Sequence, residues 1–265
     1  MHAFHYHRPA SLKDALSLGS QKTEGRYLAG GQSLVQAMKL RLSSPTDLID
    51  LNALGDLKTL KAESGSVTIG AMVRHAEVAG SSGVKKTIPP LAALAGMIGD
   101  RQVRHMGTIG GSIANNDPAA DYPAAVLGLG ATIVTNKRKI EADKFFRGLY
   151  ETALEPGELI TSVSFPAPKR AAYMKFKNPA SRFAIVGVFV ADFGGNVRVG
   201  VTGAGPSAFR QTEMEKALSA KFAPESVANI KVKSDGLNND LHASPEYRAH
   251  LITVMTKRAV EAALK

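Results

Sequence analysis

The stretch Leu28-Ala29-Gly30-Gly31-Gln32-Ser33-Leu34-Val35 carries the first strong structural signal in this chain. The short apolar run over residues 26–29 stops at a glycine pair, as a strand that enters a tight loop does. Apolar residues then recur at helical spacing, at Leu34, Val35, Met38 and Leu42. The pattern predicts a strand, a glycine loop and a helix with Ser33 as its N-cap. Paired glycines allow positive φ and close approach to a ligand, and the amides at a helix start suit a phosphate.

A second glycine pair lies in Thr108-Ile109-Gly110-Gly111-Ser112, and amides and carboxylates follow it at Asn115, Asn116, Asp117 and Asp121. Neither loop fits the G-x-G-x-x-G fingerprint or the P-loop pattern. On the residues alone, each loop is therefore either a phosphate-binding loop or an ordinary turn. Two phosphate loops on separate small domains would hold the two phosphates of a dinucleotide in the cleft between them.

Composition excludes several classes of protein. The 33 Lys and Arg exceed the 23 Asp and Glu, and the net charge of +10 suits an acidic partner or a phosphate cofactor. The basic residues lie in short scattered groups without interleaved aromatics, so nucleic-acid binding is not expected. The absence of Cys excludes thiolate zinc sites, cysteine nucleophiles and cysteine-held iron–sulfur clusters within this chain.

The sequence also bears on location and on metal binding. No apolar segment approaches the roughly 18 residues of a membrane-spanning helix, and the first residues lack a signal-peptide pattern, so a cytoplasmic protein is expected. His2, His5 and His7 suggest an exposed strand rather than a metal site, because no further ligand lies nearby in the sequence. His75 and His105 are interpreted as surface or supporting residues.

A chain of 265 residues suggests two or three small domains at about 150 residues each. Residues 1–55 alternate short strands with helices, which favours a small parallel sheet. Residues 56–168 show short strands separated by turns and helices. Residues 169–265 contain three strands, a hairpin turn at Phe193-Gly194-Gly195-Asn196-Val197, and helical segments. This last part predicts an antiparallel sheet backed by helices, an α+β arrangement.

The residues around the two loops, taken in order, resemble the FAD-binding medium subunit of molybdenum hydroxylases. This family includes carbon monoxide dehydrogenase medium chains and bacterial xanthine dehydrogenase FAD subunits. The likeness rests on residues 29–33 with 38–42, and on residues 108–112 after Arg101-Gln102-Val103-Arg104. It extends over the whole chain through further matching segments, at 49–52, 68–71, 117–121, 157–160 and 175–181.

The resemblance implies an α+β fold in three parts. Residues 1–55 and 56–168 would be the two subdomains of an FAD-binding fold of the vanillyl-alcohol-oxidase-like (PCMH) type. Residues 169–265 would be a C-terminal α+β flavoprotein domain with a three-stranded antiparallel sheet and helices.

The resemblance also implies where FAD binds. The chain has no Cys and neither glycine loop contains a His, so FAD is expected to bind without a covalent link. The pyrophosphate and adjoining sugar would be surrounded by Leu28, Ala29, Gly30, Gly31, Gln32, Ser33, Leu34, Val35, Thr108, Ile109, Gly110, Gly111 and Ser112. Asp121 would accept hydrogen bonds from cofactor hydroxyl or ring N–H groups. Ile98 and Ile160 would contact the rings, and either Lys175 or Lys177 would face the polar edge of the isoalloxazine. Phe183 aligns with a tyrosine often found over the flavin, and would stack without the hydroxyl.

The function that this resemblance implies is an electron-transferring oxidoreductase subunit with no catalytic residue and no metal site of its own. Electrons would come from an iron–sulfur small subunit and pass through FAD to NAD, a quinone or oxygen. Molybdopterin and two-iron two-sulfur clusters would lie on partner subunits, in a dimer of heterotrimers. Arg101 and Arg104 are expected to help dock an acidic iron–sulfur subunit. Two alternatives remain: a stand-alone FAD oxidase, and a non-catalytic nucleotide-binding scaffold.

Overall fold

The computed structural model describes residues 1–265. A three-stranded parallel sheet begins the chain, built from β1 (His5–His7), β2 (Arg26–Leu28) and β3 (Asp47–Asp50), with β3 in the centre. Helices α1 (Leu12–Gln21) and α2 (Leu34–Lys39) connect these strands. The Ser11 hydroxyl accepts a hydrogen bond from the Asp14 amide and so caps α1. Because β2 ends directly before the first glycine pair, that loop lies at the carboxyl edge of the sheet.

A five-stranded antiparallel sheet forms the middle of the molecule, in the spatial order β4-β5-β10-β6-β7. Its strands are β4 (Leu60–Glu63), β5 (Ser66–Gly70), β6 (Thr132–Thr135), β7 (Lys139–Glu141) and β10 (Ile160–Pro166), and a separate hairpin joins β8 (Phe146–Gly148) to β9 (Glu151–Thr152). Six helices lie between β5 and β6: α3 (His75–Gly80), α4 (Ser82–Thr87), α5 (Pro89–Met97), α6 (Arg101–Met106), α7 (Ile109–Asn115) and α8 (Tyr122–Gly128).

The third sheet is antiparallel and has four strands: β11 (Arg170–Lys177), β12 (Ala184–Asp192), β13 (Val197–Thr202) and β14 (Phe209–Arg210). The sequence predicts three of these strands. The fourth has only two residues, too few to show a strand period, and pairs with the edge of β13. Helices α9 (Thr212–Ala220) and α11 (Pro245–Ala263) pack on this sheet, and α10 (Glu225–Ala228) packs against these two helices.

All residues of strand β12 are buried, and the two faces of the strand pack into two different hydrophobic cores. Val188 and Val190 pack into the core beneath α9 to α11. Phe189 and Ala191 face the other way, into the large core of the middle sheet. The second and third parts of the chain thus share a core, and the division at residues 55 and 168 stays a prediction. None of the helices combines the length and apolar character that crossing a membrane requires.

Candidate functional site

The two glycine loops lie against each other, although α3 to α6 separate them in the sequence. A Cβ on Gly30 would overlap the Met106 carbonyl oxygen and lie 2.7 Å from the Gly107 Cα. A Cβ on Gly111 would lie 3.5 Å from the Ala29 Cβ. The first loop (residues 28–35) therefore rests directly on the second loop (residues 108–112), and Gly30 permits this close approach of two backbones.

The first loop offers backbone donors that the protein itself does not use. Gly31 has a φ of +70°, in the left-handed region that favours glycine. The amides of Gly31, Gln32, Ser33 and Leu34 make no hydrogen bond within the chain, while the Gly31 and Ser33 carbonyls accept from Val35 and Ala37. These residues are partly or largely exposed. A run of free N–H groups at a helix start is suited to binding an anion.

The second loop differs from the first, because its backbone amides donate hydrogen bonds within the protein. The amides of Ile109 and Gly110 donate to the Val73 and Ala71 carbonyls, at 3.2 and 2.9 Å. The Thr108 hydroxyl accepts from the Gly111 amide at 3.2 Å and caps α7. A Cβ on Gly110 would lie 2.5 Å from the Ala71 Cβ. Gly110 is therefore small because it packs on the end of β5, and the contact of this loop with a cofactor stays a prediction.

Asp121, Lys175 and Tyr173 form a buried cluster. The Lys175 ammonium lies 2.9 Å from Asp121 Oδ2, and the Tyr173 hydroxyl donates to Asp121 Oδ1 at 2.5 Å. The Lys175 ammonium also donates to the Met97 carbonyl at 3.4 Å. Burial raises the pKa of the Asp121 carboxyl, and the Lys175 charge and both hydrogen bonds oppose that rise. Each Asp121 oxygen thus already has a protein donor, and the carboxylate fixes Lys175 in place.

The two candidate lysines, Lys175 and Lys177, lie in different environments. The Lys175 side chain is 3% exposed and belongs to the buried cluster, whereas Lys177 is exposed at the end of β11. Tyr173 is a member of the cluster that the sequence analysis missed. It lies two residues before Lys175 on the same strand, so that strand alternation places both on one face and could have indicated it.

The other predicted residues lie in different parts of the fold. Ile98 is partly buried, and its carbonyl accepts from Arg104 at 3.0 Å. Arg104 Nη1 also donates to the Gly99 carbonyl, so part of its guanidinium is used within the chain. Arg101 is exposed. The docking role expected for both arginines stays a prediction. Ile160 is 3% exposed and lies in the large core. Phe183 is 53% exposed at the tip of the β11–β12 hairpin.

His75 is buried beneath the second loop, so of its two interpretations the supporting residue is the one that the structure favours. A Cβ on Gly107 would lie 2.6 Å from the His75 Nε2, and the His75 ring lies 5.3 Å from the Tyr122 ring. Burial lowers the pKa of His75 to about 4, and the nearby Arg104 charge acts in the same direction. The imidazole is therefore neutral at neutral pH and acts as part of the loop's packing.

Comparisons with known proteins cover the whole chain. Residues 2–168 match the family described as the FAD binding domain in molybdopterin dehydrogenase. The chain is 35% identical to the glyceraldehyde dehydrogenase medium chain of Sulfolobus acidocaldarius, over 97% of this chain and 96% of that protein. It is also 35% identical to the carbon monoxide dehydrogenase medium chain of Afipia carboxidovorans, over 98% and 96%. The solved CO dehydrogenase from Oligotropha carboxidovorans superposes with a TM-score of 0.92 at 34% identity, covering 99% of this chain and 98% of that one.

Proposed function

We infer that this chain, which belongs to the family of FAD-binding medium subunits of molybdenum hydroxylases, carries electrons between a partner subunit and an external acceptor. The observation that carries the proposal is the run of four free amides, from Gly31 to Leu34, on the first glycine loop. A pyrophosphate needs several converging donors, and backbone amides at a loop that turns into a helix supply them. The residues present therefore fit FAD.

The chain's own residues would bind and orient the cofactor at both ends. Gly31, with its left-handed backbone, turns the first loop so that successive amides follow one another toward α2. At the other end, Asp121 and Tyr173 hold the Lys175 ammonium in place. A fixed cation beside the polar edge of a flavin favours the negative charge that reduction places there. FAD, when bound, supplies the conversion between one-electron and two-electron transfer.

The remaining predicted contacts are proposed on the same basis. Gly111 borders the first loop, and Ser112, which follows it, is also partly exposed. Ile98 follows Met97, whose carbonyl accepts from Lys175 in the buried cluster. Phe183 would cover the flavin from the hairpin tip. Ile160 would contribute from the core side, where the neighbouring Thr161 carbonyl accepts from the Ala71 amide at 2.9 Å.

We further propose that electrons reach this chain from an iron–sulfur small subunit, served by a molybdopterin large subunit. The chain has no Cys with which to hold an iron–sulfur cluster itself. Several of its relatives are named medium chains, which implies smaller and larger companions. The exposed Arg101, in a chain of net charge +10, would assist docking of an acidic partner.

Reconstitution tests the proposal directly. The FAD-loaded chain is mixed anaerobically with its iron–sulfur and molybdopterin subunits and the substrate of the complex, and flavin absorbance is followed by stopped flow. We expect bleaching only in the full mixture. Bleaching by an organic substrate with the chain alone would contradict the proposal and favour a stand-alone FAD oxidase. A chain that takes up no FAD would favour the scaffold alternative.

A further inference from the structure

Asn52 lies at the carboxyl edge of the parallel sheet, in the turn that follows β3. Strand β2 ends at Leu28, which pairs with Asp50 at the end of β3, so the two strands end side by side. The first loop leaves β2 at the same edge at which this turn leaves β3. Asn52 is therefore placed to contact the first loop, although it is distant from that loop in the sequence.

The Asn52 side chain binds the residue that precedes the glycine pair. Its Nδ2 donates to the Ala29 carbonyl at 3.0 Å and to Asp50 Oδ1 at 2.7 Å. An amide nitrogen has two N–H donors, and two acceptors are present here. Because a carbonyl and a carboxylate only accept, the nitrogen of the amide group must face them. A side chain with a single donor, or with none, would leave at least one of the two acceptors without its partner.

Asp50 fixes the orientation of Asn52. The Asp50 carboxylate is 6% exposed, and its Oδ1 also accepts from the Asn52 backbone amide at 2.9 Å. Its Oδ2 accepts from the hydroxyl of Tyr6 on β1. The Lys58 ammonium donates to the Asn52 carbonyl at 2.6 Å. A chain of hydrogen bonds thus runs from β1 across β3 to the first loop, and groups of the protein alone hold Asn52 in place.

The backbone of the first loop uses its carbonyls and leaves its amides free. Most carbonyls of residues 28–33 accept a hydrogen bond from the protein, namely those of Leu28, Ala29, Gly30, Gly31 and Ser33. None of the amides of residues 31–34 donates one. A loop whose negative peptide ends are engaged and whose positive ends are free suits an anion.

Asn52 is the link that holds the start of this loop from outside it. The Gly30 carbonyl accepts from the Gln32 side chain at 3.4 Å, a long hydrogen bond within the loop itself. The Ala29 carbonyl is instead bound from the turn after β3. Because a peptide group is planar, a fixed Ala29 carbonyl also fixes the plane of the amide that leads into Gly30. Asn52 therefore sets the direction in which the chain enters the glycine pair.

We propose that Asn52, held by Asp50, is a positioning residue for the diphosphate of FAD, and this role rests on the proposed function. Asn52 acts through the backbone and does not itself contact the cofactor. It holds the Ala29 carbonyl so that the loop turns with the amides of residues 31–34 free for phosphate oxygens. Diphosphate binding thus depends on a residue outside both glycine loops.

Substitutions of matched size test this role. Asn52→Leu removes the donor and keeps the approximate shape, whereas Asn52→Gln keeps an amide donor. Asn238→Leu is the control, since Asn238 Nδ2 likewise donates to two carbonyls, those of Gly203 and Gly205, at 3.3 and 2.7 Å. FAD, and ADP as a second diphosphate ligand, are titrated into the FAD-depleted chain by calorimetry. The Kd for both should rise at least about tenfold in Asn52→Leu, less in Asn52→Gln, and not in Asn238→Leu.

The phosphorus-31 resonances of bound FAD provide a readout that a loss of stability alone would not change. At saturating FAD they should shift in Asn52→Leu, while the visible absorbance of the flavin stays that of the wild type, because the ring end is proposed to lie at Lys175. Wild-type Kd values in Asn52→Leu, or an equal rise in Asn238→Leu, would overturn the inference and leave the proposed function intact.

The two ligands also separate this inference from the proposed function. A wild-type chain that binds ADP but not FAD would contradict the proposed function, and the ADP titration of the variants would still decide whether Asn52 positions the diphosphate loop. A wild-type chain that binds neither ligand would overturn both.

Discussion

Gly30, Gly31 and Gly110 are small for three different physical reasons. Gly30 lets the first loop touch the backbone at Met106, and Gly110 packs against Ala71, so any side chain at either position would collide with protein. Gly31 differs, because its backbone has a φ of +70° and its nearest neighbour is the flexible Val35 side chain, at 2.9 Å from the added Cβ. Gly31 is therefore the position at which the first loop can be perturbed with the least damage to the fold.

Gly31→Ala should lower FAD affinity at least about tenfold and the free energy of unfolding by about 1–2 kcal/mol, the cost of a left-handed non-glycine residue. Gly236→Ala is the matched control, since Gly236 has a φ of +77° and open space around it. It should lose similar stability and bind FAD normally. Urea unfolding and FAD titration of both variants provide the measurement. Equal FAD affinity in the two variants would mean that the first loop is an ordinary turn.

Lys175→Met should destabilise the chain by about 3–5 kcal/mol, because it leaves the buried Asp121 carboxylate without its cation. The loss should be smaller at pH 5 than at pH 8, since burial raises the Asp121 pKa and the unpaired carboxyl can take up a proton at the lower pH. The double variant Asp121→Asn/Lys175→Met should recover part of the stability. Urea unfolding at both pH values checks this, and a single variant as stable as the wild type would refute the paired role.

At the scale of elements, one carboxylate fastens the β6–β7 turn to the segment before β10. The Glu158 side chain has no exposed surface and accepts from Arg138 Nε and Nη2, both at 3.0 Å, and from the Thr135 hydroxyl at 2.7 Å. The Glu155 amide donates to it at 2.8 Å. These donors outweigh desolvation, the largest opposing influence, and lower the pKa of Glu158 to about 2.

Glu158→Gln should reduce stability near neutral pH by about 2 kcal/mol, the usual worth of hydrogen bonds to a charged group. The Glu158 pKa lies below its ordinary 4.5, so its contribution is complete above pH 4.5 and is lost as the pH falls toward 2. The wild type should therefore lose stability more steeply than the variant over this range. Unfolding at several pH values measures the slopes. Glu155→Gln, at an exposed ion pair, should keep the wild-type slope, and identical slopes in Glu158→Gln would refute the assignment.

At the scale of the whole molecule, the sequence predicts those structural features that depend only on residues close together in the chain. The strand, glycine loop and helix around Gly31 follow from local patterns. The predicted capping by Ser33 is wrong, because its side chain makes no hydrogen bond to the helix start, and α2 ends at Lys39, before Leu42. The contact of Gly30 with Met106 and the link between Tyr173 and Asp121 join distant segments, and no local pattern encodes them. Two further features can be seen only in the folded chain, for the same reason. Arg104 donates to a carbonyl of its own chain, and only the first loop has backbone amides without hydrogen-bond partners.

Titration of the FAD-depleted chain with FAD, monitored by urea unfolding, tests the central claim most directly. The net charge of +10 and the free amides of the first loop predict one tight site per chain. A ligand that binds only the folded state stabilises it, by about 3–4 kcal/mol at 100 to 1,000 times its dissociation constant. A rise of this size is expected, and it should continue with the logarithm of the free FAD concentration with the slope of one FAD per chain. A free energy of unfolding that does not change with FAD would contradict it.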